Sequence, residues 1–168
     1  MNSKKLKTNE NIFSKKDDIV IKAIETIREA GNIKDLENLA KKYSETDSEE
    51  IKTLIFNVFA DLKIQEAANT VVDLIKSVGD ADTVKMLVSS CWQSRLDYAD
   101  YFETFIDLVI SAPFEISFDA FTVLENFENK IQEERKAELI DYVKSNIAKS
   151  TDDNKTFATE LINIIEKY

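Results

Sequence analysis

A four-residue phrase recurs along this chain at a constant interval: Val72-Asp73-Leu74-Ile75, Ile106-Asp107-Leu108-Val109 and Ile140-Asp141-Tyr142-Val143, with successive aspartates 34 residues apart. A fainter copy, Glu37-Asn38-Leu39-Ala40, places Asn38 35 residues before Asp73. A period of this length is that of a helix pair. One pair cannot bury its apolar faces alone, so neighbouring pairs must stack and share a continuous core.

The punctuation agrees. Gly31, Gly79 and Pro113 are the only glycines and proline in 168 residues, too few for a hairpin-rich fold or a phosphate-cradling glycine loop. Apolar residues recur at helical spacing instead. Asp17 and Asp18 are placed to cap a helix with the stripe Val20, Ala23, Ile24, Ile27 and Ala30, which Gly31 ends with a left-handed residue. Asn32 caps the next, carrying Leu36, Leu39, Ala40 and Tyr43. Thr46 and Glu49 have capping-box spacing ahead of Ile51, Leu54, Ile55, Val58, Phe59 and Leu62. The following helix runs from Ile64 through Ala67, Val71 and Leu74 to Gly79.

Asp80 or Asp82 then opens a helix with Val84, Leu87, Val88, Cys91 and Trp92 on one stripe, followed by Tyr98, Phe102, Phe105 and Val109 up to Pro113. Ser117, Ala120, Phe121, Leu124 and Phe127 share the next face, and Ile140, Val143 and Ile147 the one after it. A last helix groups Phe157, Leu161, Ile164, Ile165 and Tyr168. The expected fold is all-α: a right-handed α-solenoid of about four antiparallel helix pairs over residues 17 to 168, closed by a C-terminal capping helix and preceded by a basic arm, residues 1 to 16.

Charge limits the partners. The net charge of −10 divides into +4 on residues 1–16 and −14 on the rest, so the body disfavours a nucleic-acid backbone. The arm's lysines would contact acidic lipid or RNA, or simply belong to a solvated tail. No apolar h-region follows them and no uncharged run approaches a membrane span, which points to a cytoplasmic protein. With no histidine and one cysteine, His-based triads, Glu-x-x-His di-iron sites and internal disulfides are impossible. Asp80 and Asp82 beside Gly79 lack the sixth-position glycine and twelfth-position glutamate of a calcium loop. No metal or other cofactor is expected, and Cys91 reads as a buried thiol.

The repeat length and apolar pattern over residues 17 to 147 resemble the HEAT-like repeat family, and Cys91-Trp92-Gln93, Leu96-Asp97-Tyr98 and Ala120-Phe121-Thr122-Val123-Leu124-Glu125-Asn126 are similar to its bacterial, Bacteroidota-type members. The resemblance implies stacked helix pairs and a role in binding other proteins. The family's Asp to Arg ladder is not carried over, because the residues six beyond the aspartates are Gly79, Pro113 and Ile147.

Two groups of residues are candidates for partner contact. Asn38, Asp73, Asp107 and Asp141 would form a column on the surface of the second helices, where carboxylates can grip a Lys/Arg-rich segment. A role in fixing the stacking, or plain solvation, explains the same recurrence. Trp92, Tyr98 and Tyr101 cluster in sequence as aromatic anchors do, and equally as a core does. The expected function is a non-enzymatic protein-protein interaction module with an acidic surface and another protein, through a basic segment, as partner. The alternatives are an accessory subunit binding through a hydrophobic flank and an enzyme with a carboxylate-only site.

Overall fold

Helices form wherever the sequence supplies an apolar stripe bounded by polar caps, and the computed structural model, which describes residues 10–30 and 32–168, is helical throughout with no strand among them. From Asp17 onward these are α1 (Asp17–Ala30), α2 (Leu36–Glu45), α3 (Glu49–Ala60), α4 (Ala67–Ser77), α5 (Ala81–Gln93), α6 (Phe102–Ser111), α7 (Phe114–Glu125), α8 (Glu133–Asn146) and α9 (Lys155–Lys167). Short 3-10 turns precede α2 and α6 and follow α8. The expected stop at Gly31 and most of the basic arm lie outside the described residues.

The caps follow side-chain chemistry rather than the nearest acidic residue. Asp17 and Asp18 occupy the first turn of α1, where their charge complements the helix dipole, instead of the cap. Asn32 does cap, its Oδ1 accepting from the Lys34 N–H, but it opens the 3-10 turn Ile33–Asp35. Ser48 caps α3, accepting from the Ile51 N–H, while Thr46 accepts from the Ser48 N–H; the cap lies two residues beyond the expected Thr46, and with Ile51 in the third helical position the expected capping box with Glu49 does not form. Asp80 caps α5, taking the Thr83 N–H at 2.9 Å and the Thr83 hydroxyl at 2.5 Å. Those two donors stabilise its ionised form and hold its carboxyl below the usual carboxylate range.

The chain packs as two compact units, one ending at Leu96 and the other starting at Asp97. In the first, α1 packs on α3 and α3 on α5, while α2 packs on α3, α4 and α5. The principal partner of α1 is therefore α3 rather than α2. Val20, Ile24, Leu39, Ile51, Ile55, Phe59, Val71 and Leu87 are 1% exposed or less and form the core of this unit. Leu54, expected in that core, is half-buried, because the buried line of α3 runs through Ile51, Ile55, Val58 and Phe59. Ile64, expected inside α4, lies in the preceding turn and is exposed.

The second unit is organised around α6 and α9. α7 packs most extensively on α6, across a connection containing only Ala112 and Pro113. α9 contacts α6, α7 and α8 and buries Ala158, Leu161 and Ile165 completely, so it supplies core to its unit. Asn154 and Tyr168 fasten its two ends: the Asn154 side-chain amide donates to the Ala112 carbonyl at 2.7 Å, and the Tyr168 hydroxyl donates to that of Leu124. Burial pushes the Tyr168 phenol well above its ordinary range.

Candidate functional site

The recurrent positions are all helical, with Asp73, Asp107 and Asp141 four to five residues before the ends of α4, α6 and α8 and Asn38 in the first turn of α2. In the first unit Asn38 is half-buried and Asp73 exposed. Asp73 accepts from the Asn69 amide one turn back at 2.9 Å and borders a shallow groove with Glu37, Thr70, Leu74 and Ser77. In the second unit Asp107 and Asp141 are both exposed.

Asp107 is engaged within the fold. Tyr142, the residue after Asp141, crosses from α8 to donate its hydroxyl to Asp107 Oδ1 at 2.8 Å. The same two helices are also joined by Arg135, whose guanidinium lies 2.7 Å from Oε1 of Glu103, one turn before Asp107. The hydrogen bond to Asp107 favours the neutral phenol and raises the Tyr142 pKa, with burial adding to the effect. Asp107 thus joins one copy of the phrase to the next, while Asp73 and Asp141 face solvent.

The aromatic candidates separate by exposure. Tyr98 is 4% exposed and meets Phe105 edge to face at 5.5 Å between ring centroids, so its ring is core and out of a partner's reach. Tyr101 is half-buried. Trp92 is 41% exposed and does not share the buried stripe of α5. That face turns instead through Thr83, Leu87, Ser90 and Cys91, because the Thr83 hydroxyl bonds Asp80 and the Ser90 hydroxyl donates to the Leu87 carbonyl. Satisfied hydroxyls can be buried, and an apolar-only stripe misses them. Cys91 is buried, its thiol 3.2 Å from the Leu87 carbonyl oxygen.

The most exposed aromatic surface is one the repeat pattern did not single out. Phe114 and Phe118 on α7 are 52% and 50% exposed. Both contact Phe157 of α9, at 5.7 and 5.8 Å, and Phe121 completes the cluster at 5.1 Å from Phe157. The signal was present: Phe114, Phe118 and Phe121 stand at i, i+4 and i+7, a second apolar stripe beside the buried one through Ile116, Ala120 and Leu124. Elsewhere, an open groove on the first unit is lined by Tyr43, Glu49, Lys52, Phe56, Asp82 and Lys85, carrying both signs of charge.

Among the described residues, no three Cys, Asp or Glu side chains converge as metal ligands would, and no helix is long and apolar enough to cross a membrane. No family model, curated protein or solved structure matches the chain.

Proposed function

We propose that this chain is a non-enzymatic protein-interaction module, a right-handed solenoid of stacked helix pairs whose acidic surface receives a basic segment of another protein. The stacking is supported by the order of packing within each unit, where α1 meets α3, α3 meets α5, α2 meets α4 and α6 meets α8. The observation that carries the binding role is the charge of residues 97–168, sixteen Asp and Glu against seven Lys and Arg. Such a field steers a cationic partner and orients it before contact. The exposed phenylalanines on α7 favour the accompanying reading, contact through an apolar flank, since aromatic anchors dominate binding energy where they can be desolvated.

The test is affinity capture from a lysate by wild type and by Asp73→Lys/Asp141→Lys, both shown to be folded. These two carboxylates are exposed and Asp107 is left in place because it bonds Tyr142. A partner retained by wild type, released by moderate salt and lost in the variant is the expected outcome. Capture indifferent to salt and to the substitutions contradicts the acidic-surface reading.

A further inference from the structure

We infer that the face of α7 and α9 carrying Phe114, Phe118 and Phe157 is a docking site for a basic amphipathic helix of another protein. This rests on the interaction-module reading and names the site and the partner's chemistry.

Three observations lead there. Two phenylalanines one helical turn apart are half-exposed on a well-formed helix, and a third ring from α9 holds them in a single cluster. The exposed rings offer on the order of 200 Å² of apolar surface, a rigid platform with little side-chain entropy to lose. Along α7 the charge has one sign, while Lys130 and Lys167 share a groove with Glu125 at its far end. Between Arg95 and Lys130 the chain has eight Asp and Glu and no Lys or Arg, and α7 itself carries Glu115, Asp119 and Glu125. Helical spacing sets Glu125 in line beyond Phe114 and Phe118, with exposed Glu115 and half-buried Asp119 farther round the helix. Lys155, two residues before Phe157, is the cation nearest to it in sequence.

These features select among occupants. A second copy would bring two such acidic faces together, and their like charges repel. An anionic membrane is repelled by the same carboxylates. A strand gains nothing from pairing here, since no sheet edge exists among the described residues. An amphipathic helix with apolar residues at i, i+4 and i+7 matches a platform about two turns long, and Lys or Arg on its flanks meets Glu115, Asp119 and Glu125.

The experiment is calorimetric titration of the full chain with a synthetic Leu/Lys amphipathic helix, beside a Leu/Glu peptide of the same pattern. Saturable binding of the Leu/Lys peptide, weakened about tenfold or more by Phe114→Ser/Phe118→Ser and similarly by Glu115→Lys/Asp119→Lys, is expected, with no binding of the Leu/Glu peptide. Helicity of each variant is checked by circular dichroism, and Phe114→Ser alone serves if the double variant loses it. Unchanged affinity in the phenylalanine variants overturns the site while leaving the module reading intact. No binding of the Leu/Lys peptide, or a dimer in light scattering that the double variant dissolves, overturns the proposal. Failure of the module reading shows separately, as a lysate capture in which neither wild type nor variant retains any protein.

Discussion

The unit ending at Leu96 and the unit beginning at Asp97 are built from the same kind of helix but distribute charge and aromatic volume differently. The first is nearly neutral, with sixteen acidic and fifteen basic residues, and contains three phenylalanines; the second has a net charge of −9 and contains the other seven. A small unit has a high ratio of surface to volume and cannot enclose so much aromatic side chain. Phe102 and Phe105 are fully buried, whereas Phe114 and Phe118 are left half-exposed. The difference teaches that the same helical apolar pattern builds a packed interior in both units, while the surplus of aromatic side chains leaves an exposed phenylalanine cluster in only one.

If both interiors are equally packed, deep truncations should cost the same in each. Phe59→Ala in the first unit and Phe105→Ala in the second, both 0% exposed, are each expected to destabilise by roughly 3 to 5 kcal/mol in denaturant unfolding. A cost below about 1 kcal/mol in either would show that its unit lacks the packed core described. Phe114→Ser/Phe118→Ser gives up only the covered half of each ring and its contact with Phe157, and is expected to cost roughly 1 to 3 kcal/mol, less than either buried truncation.

The caps and the stacking bond make a finer contrast. Asp80→Ala removes the side-chain cap of α5 and should cost about 1 kcal/mol, with Asp80→Asn close to wild type. Because the folded-state pKa of Asp80 is depressed, its contribution is present above the unfolded value near 3.8 and fades as pH falls through the lower folded value. The wild-type minus alanine difference, followed into acid, checks this sign.

In the second unit Tyr142→Phe deletes the bond to Asp107 and is expected to cost about 0.5 to 1 kcal/mol at neutral pH. There the folded pKa is raised above the ordinary 10.0, so the contribution is intact below pH 10 and disappears as pH rises through the folded value. The phenylalanine variant should lack that alkaline component.

Much of the architecture was legible because helical periodicity is a local property. The nine helices from Asp17 onward fall where apolar stripes place them, and Cys91 lies on a buried face as its neighbours require. What was not legible depended on which side chains find bonding partners and which faces the neighbouring helices cover. Trp92 looked like a member of the Leu87 and Cys91 stripe until Thr83 and Ser90, with satisfied hydroxyls, claimed that face. Tyr98 looked available until Phe105 covered its ring. The recurrence of the aspartates could not show that Asp107 accepts a bond from Tyr142 across on α8, a partner 35 residues away. The exposed stripe of Phe114 and Phe118 was written in the sequence at helical spacing, yet a helix apolar on most sides does not reveal which stripe its neighbours will cover.

The central claim is that the surface which distinguishes the second unit is where a partner binds. Amide chemical-shift mapping of the full chain titrated with the Leu/Lys helix tests it most directly. The account predicts perturbations concentrated on α7 and the first turns of α9, around Phe114, Phe118 and Phe157. Perturbations centred on α1 to α5, or none at saturating peptide, would contradict it.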